Sequence, residues 1–459
     1  MNKNKTNIVV GGGISGLSFS YELAKKNKSI ILVEKEKKLG GLSRSEILNN
    51  CYVDMGAHLF YGIDKEVYNK IREVVPDNFW VNVKRKGKLC VLKSFINWPF
   101  NFISIFQMPF KLIFEIALGV IEKFFKKKNV QIKNYDDVIN NIYGNRLNNI
   151  FFKPLTEKFL KRGTEEISAD WAIASLRAAT KIKDKKYNET QKYLTEVDQS
   201  FKSSEFSLVK FFLNSILSKN NEPFFYFTEG YGTICRFFEK KLNDLNGICL
   251  KNSQINQIEI SDNRILSVQI NNDFYTVDNL IWTGSISSLC NILKIEKPKL
   301  NYMHSLFYYV FLNKNFKKDF DCCYFGDADI VFQRVTVNSE YSKKIIHDEK
   351  IKSVGCFELS FKSVDELNYF LKNNDELVIK DCLKLDLFQK EDLIDVKTIS
   401  SYFSYPVFDH NYKNELQKFN DKIKNIKNLY TVGRQGSFSY ENLDLIIRET
   451  LDHPLIKND

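Results

Sequence analysis

The run Gly11-Gly12-Gly13-Ile14-Ser15-Gly16 is the first place in the chain where residue type and spacing point to chemistry. It fits G-x-G-x-x-G, a pattern that carries meaning only when it follows a strand and opens a helix. Ile8-Val9-Val10 is a short apolar run before it, and Leu17 to Lys26 has helical apolar spacing after it. In that setting Gly11 permits a tight turn, Gly13 lets the backbone approach a pyrophosphate, and Gly16 lets helix and strand pack closely. The pyrophosphate sits at the positive helix N-terminus, against Ile14 and Ser15. Glu34, followed by Lys35, ends the next apolar run, Ile30 to Val33. A carboxylate there can accept hydrogen bonds from adenosine ribose hydroxyls. Gly40-Gly41-Leu42-Ser43-Arg44 comes next and is no part of the generic dinucleotide fingerprint.

Such residues need a scaffold, and the chain supplies one. Strand, turn, helix and strand predict a βαβ unit with a parallel sheet. Residues 100–218 read as mostly helical. Leu112, Ile113, Ile116, Ala117, Val120 and Ile121 recur at the helical period, while Lys111, Glu115 and Glu122 share a polar edge. This predicts a buried helix in an inserted helical subdomain. Strands return from about 223. Phe224 to Phe227 precede Glu229-Gly230-Tyr231-Gly232 and a helix, and Ile255 to Tyr275 alternates around an Asp262-Asn263 turn. Leu280-Ile281-Trp282 and Leu429 to Val432 read as buried strands, the second meeting Gly433. Leu306 to Leu312 and Ser353 to Phe361 read as strands of another sheet. The expected class is α/β: a Rossmann-like FAD/NAD(P)-binding domain with a helical insert and an antiparallel-sheet substrate domain. The cofactor domain takes 1–95, 221–295 and 405–459, the insert 96–220, and the antiparallel sheet 296–404.

Composition sets the bounds. A chain of 459 residues is too long for one hydrophobic core. With 44% hydrophobic and 27% charged residues it is an ordinary globular protein rather than a disordered one. The net charge of +11 suits a Lys-rich solvated surface and also draws anionic ligands. No Lys/Arg block resembles a nucleic-acid arm, so no nucleic acid is expected as a partner. Nine cysteines form no CxxC pair, which points to reduced thiols in a cytoplasmic protein. His304, His347, His410 and His453 lack metal spacing, and no metal is expected. Phe95 to Ile121 is interrupted by Asn97, Pro99, Asn101, Pro109, Lys111 and Glu115, too often for a spanning helix of about 20 apolar residues. A peripheral membrane contact through Phe110 to Phe125 stays open, and no signal peptide is expected.

Several segments together resemble the UDP-galactopyranose mutase family, within the wider amine-oxidase and protoporphyrinogen-oxidase-like FAD superfamily. Gly40 to Arg44 resembles a Gly-Gly-x-x-Arg segment whose arginine lies near the FAD pyrophosphate. Gly56-Ala57-His58-Leu59-Phe60 resembles a loop that runs beside the flavin. Asn97-Trp98-Pro99-Phe100-Asn101 and Leu155-Thr156-Glu157-Lys158 are similar to the family's Leu-Pro-Phe-Asn and Tyr-Thr-Glu-Lys segments. Glu166 to Trp171 and Arg177 follow in order. Ile281-Trp282-Thr283-Gly284 resembles a strand returning to the cofactor, and Ile330 to Thr336 a strand bearing a substrate arginine. Tyr405-Pro406-Val407 and Gly433 to Asp444 finish the series. Two positions depart from the pattern: Phe159-Leu160 replace the tryptophan after Thr-Glu-Lys, and Asn442 stands where bacterial members carry an acid.

The resemblance implies an FAD-dependent pyranose–furanose mutase acting on a nucleotide-diphosphate sugar such as UDP-galactose, for surface-polysaccharide synthesis. Reduced flavin is then the nucleophile toward the anomeric carbon, with no net redox change. NAD(P)H or a reductase supplies the electrons. Arg334 is the leading candidate for the diphosphate, because a guanidinium fork binds phosphate bidentately. Arg177, Tyr405, Tyr440 and Asn442 join it in holding substrate. Arg334, Arg177 and His58 make up the catalytic set, His58 beside the flavin. The implied FAD contacts are Gly11, Gly13, Ile14, Ser15, Gly16, Glu34, Lys35, Gly41, Leu42, Arg44, Gly56, Ala57, His58, Gly433, Arg434, Asn442 and Leu443. Fold alone does not separate this from an amine-oxidase or protoporphyrinogen-oxidase-like FAD-dependent oxidoreductase that moves a hydride from a nucleotide sugar or other small molecule, and that alternative stands beside it. A homodimer is allowed.

Overall fold

The computed structural model describes residues 2–62, 64–100, 102–125, 132–179 and 224–457. The lysine-rich segment Lys181 to Lys186, read as a solvated loop, lies outside the described residues.

The strand Asn2–Val10 pairs in parallel with Ile30–Val33 on one side and with Asp273–Trp282 on the other. Ile248–Leu250 extends the sheet beyond Ile30–Val33, and Leu429–Thr431 pairs with the end of Asp273–Trp282. All four residues of Ile30–Val33 are buried, as a strand covered on both faces requires. The register brings Val10, Val33, Trp282 and Thr431 to one edge. The chain leaves that edge into the glycine turn, Glu34, Thr283 and the Gly433 segment. Ligands of open parallel sheets bind outside the carboxyl ends of the strands, at this kind of edge. Ile255–Ser261 and Arg264–Ile270 form the expected hairpin, with Asp262 and Asn263 at φ 51° and 59°. Positive φ at both central residues is what a two-residue type I′ turn demands.

A second sheet runs in the order Leu393–Val407, Asn301–Leu312, Ser353–Phe361, Arg334–Val337, Cys322–Phe325, Gly87–Val91, Ser94–Asn97. Its pairs are antiparallel except that Gly87–Val91 runs parallel to Cys322–Phe325. The last two strands of this order come from residues 87–97, which the sequence reading divides between the cofactor domain and the helical insert. Residues directly opposite each other share a face. Tyr324 opposes Arg334, and Arg334 opposes Glu358, so one face carries the three in a row.

The described helices of the insert include Phe102–Gln107, Phe110–Phe125, Tyr135–Tyr143, Lys153–Leu160 and Ala169–Ala179. Phe110–Phe125 departs from the buried helix read from its periodicity. Leu112 is buried, yet Phe110, Phe114 and Ile121 are 82%, 54% and 53% exposed. The polar edge explains the rotation. Glu115 and Glu122 pair with Arg146 of the neighbouring helical turn, which ties that edge to its neighbour and leaves the aromatic stripe exposed. Among the described residues no helix is long and apolar enough to cross a membrane. All nine cysteines are free, Cys249 half-buried and the others buried.

Candidate functional site

A cavity of about 2750 Å³ extends from the carboxyl edge of the parallel sheet to the second sheet. Its first wall is made largely of backbone. Gly11 has φ +100°, and a Cβ there would lie 2.4 Å from Thr283 Oγ1. A Cβ on Gly16 would lie 1.9 Å from the Gly11 carbonyl oxygen, so only glycine lets the helix Ile14–Lys25 sit against the turn. Gly13 is different: a Cβ there meets no heavy atom within 4 Å, and the residue lines the cavity. No side chain caps the helix that begins beside it. A positive helix end, facing space that a glycine keeps clear, fits a pyrophosphate. Gly41, at φ +53°, brings the second glycine segment to the same point, its Cβ position 3.3 Å from Gly13 Cα.

The side chains of this wall are already braced. Glu34 Oε2 accepts from the Gly12 N–H at 2.6 Å, and Oε1 from the Glu36 N–H at 2.8 Å. Arg44 donates from Nε to Glu46 at 2.8 Å and from Nη1 to the Gly41 carbonyl at 3.2 Å. Both still line the cavity, with Ile14, Ser15, Leu42 and Ala57, while Lys35 is exposed at its rim. Asn442 and Leu443 also line it, but the Asn442 side chain is committed locally. Its Oδ1 accepts from the Leu445 N–H at 3.1 Å and caps the helix Leu443–Asp452. Gly16, Gly56 and Gly433 lie behind the wall. Gly433 has φ +74°, with Ser15 Oγ 2.3 Å from its Cβ position.

The opposite wall is made of long side chains. Arg334 donates from Nε to Glu358 Oε2 at 2.9 Å, and its Nη2 donates to the same oxygen. Tyr405 donates its hydroxyl to Glu358 Oε1 at 3.0 Å. Glu358 is 1% exposed and Arg334 18% exposed at their side chains. One buried carboxylate thus fixes both an arginine and a phenol. Gly56 permits this: a Cβ on it would come within 3.1 Å of Glu358 Oε2 and 3.2 Å of Arg334 Nη2. Arg434 closes the corner, its guanidinium 5.7 Å from the Tyr405 ring centre and 5.3 Å from that of Tyr440. It donates to the Glu441 carbonyl at 2.5 Å, and its buried Nε has no partner among the described residues. Arg177 belongs by backbone to the helix Ala169–Ala179, and its side chain lies outside the description.

His58 sits between the two walls. Its ring stacks on Tyr231 at 5.0 Å, and its buried Nδ1 has no hydrogen-bond partner among the described residues. Burial, with Arg334 and Arg434 adding to it, pushes its pKa down to about 3. His58 is therefore a neutral imidazole at any ordinary pH. Burial raises the Tyr405 hydroxyl far above the usual phenol range, so it acts as a hydrogen-bond group and not as a phenolate.

Sequence reasoning missed Glu358, Tyr231 and the aromatic support. Phe159 packs edge-on against Tyr405 at 4.8 Å and stacks on Trp171 at 6.0 Å, and Trp171 meets Tyr440 at 4.6 Å. Glu358 did leave a signal. It is the lone charged residue of Ser353–Phe361, a strand buried at every position, and a buried charge needs a partner.

A model of the NAD(P)-binding Rossmann-like domain matches residues 9–75. Two curated proteins match short stretches. One, from Methanothermococcus thermolithotrophicus and known only as a protein in the nifH2 3' region, is 45% identical over 51 residues, 11% of this chain. The other, polyamine oxidase 5 of Oryza sativa subsp. japonica, is 36% identical over 59 residues, 13% of this chain. The matches span 49% and 12% of those proteins. Among solved structures, reduced UDP-galactopyranose mutase matches with a TM-score of 0.77 at 19% identity, over 99% of this chain and 98% of that one. The chain has the UDP-galactopyranose mutase fold. An oxidoreductase from Methanosarcina mazei matches at TM-score 0.64 and 11% identity, over 98% of this chain and 100% of that one. Putrescine oxidase bound to putrescine matches at 0.60 and 12%, over 97% of each chain. Because mutase and oxidases share this fold, chemistry has to be read from the side chains on it.

Proposed function

We propose that the protein is an FAD-dependent enzyme that, with its flavin reduced, interconverts the pyranose and furanose forms of a nucleotide-diphosphate sugar for surface-polysaccharide synthesis. The observation that carries this reading is the Arg334–Glu358–Tyr405 set facing the same cavity as the glycine cradle. FAD suits the cradle because Gly40 to Arg44 and the segment around Arg434 extend it beyond a bare Rossmann turn. When bound, reduced flavin supplies a nucleophilic nitrogen for the anomeric carbon.

The chain's own residues do the rest. Arg334, oriented by Glu358, presents its fork to a diphosphate as negative charge builds on it. Arg434 adds a second cation and the Tyr440 hydroxyl donates to the remaining oxygens, beside Tyr405, whose own proton goes to Glu358 and whose ring packs under Arg434. Arg177, on the helix that also carries Trp171, is assigned to the same diphosphate. His58, neutral beside two guanidiniums, holds its place by stacking and offers Nδ1 to a bound group without adding charge. This concentration of cations and phenols suits a diphosphate, which favours a nucleotide-sugar enzyme over an amine oxidase; an oxidoreductase acting on a nucleotide sugar stands as the second reading. The protein would work in the cytoplasm, as monomer or homodimer, with electrons from NAD(P)H or a reductase.

The test is anaerobic incubation of the dithionite-reduced, FAD-loaded protein with UDP-galactopyranose and a panel of other nucleotide sugars, with products read by NMR. A furanose product that requires reduced flavin supports the reading. Reduction of oxidised flavin by a substrate, with no isomerisation, replaces it with the oxidoreductase.

A further inference from the structure

Arg334 is not the only arginine of this cavity backed by a buried carboxylate. Arg85 lines the cavity and donates from Nε to Asp321 Oδ1 at 3.2 Å. Asp321 is 1% exposed, and its other oxygen accepts from the Lys86 N–H at 2.6 Å. The pair repeats the Arg334–Glu358 arrangement on the far side of the strand Cys322–Phe325, whose neighbours are Gly87–Val91 and Arg334–Val337. Strands two steps apart lie roughly 10 Å from each other, so the two guanidiniums serve different parts of one ligand.

Aromatic side chains surround Arg85 within this cavity. Its guanidinium lies 5.5 Å from the Phe224 ring centre, and Phe224 meets Tyr61 edge-on at 5.3 Å. Phe224, Tyr61, Tyr324 and Tyr341 all line the cavity. Tyr341 is 3% exposed, and its hydroxyl has no hydrogen-bond partner among the described residues. A buried hydroxyl without a partner is costly, and such groups normally find one. The only hydrogen bond from the Arg85 guanidinium among the described residues is the one from Nε, leaving the two terminal nitrogens for an anion.

We propose that Arg85 and Tyr341 bind a carboxylate on the sugar of the substrate, so that the preferred substrate is a nucleoside-diphosphate-linked sugar acid. This rests on the nucleotide-sugar reading of the cavity. The diphosphate goes to Arg334 and Arg434, and the sugar reaches past Tyr324 toward Arg85. A planar carboxylate takes two parallel N–H donors from one guanidinium, a geometry that a hydroxyl does not match. The Tyr341 hydroxyl completes the set as a third donor.

The test is calorimetric titration of the FAD-loaded protein with uridine diphosphate, UDP-galactose and UDP-galacturonate. The wild type should bind UDP-galacturonate at least tenfold more tightly than UDP-galactose. In Arg85→Met that ratio should fall to about one, while Arg85→Lys, which keeps the charge and loses the fork, should retain part of it. Tyr341→Phe, which removes only the hydroxyl, should reduce the ratio with flavin content and melting temperature unchanged. Equal affinity of the wild type for the two sugars overturns the inference and leaves the nucleotide-sugar reading standing. Failure of uridine diphosphate itself to bind overturns both. An Arg85→Met effect on NADPH binding, with the sugar ratio intact, assigns the site to the phosphate of a reductant and overturns the sugar-acid proposal.

Discussion

The two walls of the cavity are built by opposite means. The cradle wall is backbone: glycines clear space, a helix end supplies the positive potential, and Glu34 braces the turn. The sheet wall is side chain: Arg334, Glu358 and Tyr405 come from three different strands and meet through hydrogen bonds. A backbone site tolerates no added atoms at its packed glycines, Gly11 and Gly16, and keeps Gly13 clear for a ligand. A side-chain site tolerates sequence change around it but fails when one member of the buried set is lost. On the proposed function, that contrast separates binding a constant cofactor from recognising a particular substrate.

Variants can break or sharpen this contrast. The largest effect is expected from Glu358→Ala, which strands a mostly buried guanidinium and a phenol. Removing one partner of a buried pair costs about 3–5 kcal/mol, to be read by chemical denaturation, with diphosphate binding lost in parallel. On the cradle wall, Gly16→Ala forces a methyl into the Gly11 carbonyl and should cost about 3 kcal/mol. Gly13→Val has open space around it, so it should fold with near-normal stability and purify without flavin. Equal destabilisation by the two glycine variants would remove the distinction between packing and ligand glycines.

Burial also sets a pH dependence. Burial raises Asp444 to about 7 and Asp54 to about 6, against roughly 3.9 for a free aspartate. The folded-state pKa lies above the unfolded one, so the protonated form is favoured on folding. The stabilisation is full below about pH 4 and is lost as pH rises through 7. Asp444→Asn should therefore flatten the fall in melting temperature between pH 4 and 8 and add about 2 kcal/mol at pH 8. An unchanged pH profile would show that Asp444 does not titrate there. The smallest effect is expected from Asn442→Ala, which removes a helix cap worth about 1 kcal/mol. If Asn442 instead holds substrate, the variant will lose nucleotide affinity by more than its stability falls.

These differences also explain what could be read in advance. The cradle is local in sequence: Gly11 to Gly16, Glu34 and Gly40 to Arg44 declare themselves by spacing between apolar runs, and the Asp262-Asn263 turn does the same. The sheet wall is not local. Arg334 and Tyr405 were reached through resemblance, and Glu358 and Arg85 were not reached at all, because register across distant strands decides which side chains meet. The rotation of Phe110–Phe125 was missed for a related reason. Its period was plain, but the Arg146 that ties down its polar edge comes from another helix.

The most direct test of the two-wall arrangement is to measure flavin content and uridine diphosphate affinity together in Arg334→Met. The expected result is a full complement of FAD with uridine diphosphate bound at least tenfold more weakly than by the wild type. Loss of flavin with nucleotide affinity intact would place Arg334 in the cofactor site and contradict the division of the cavity into a cradle wall and a substrate wall.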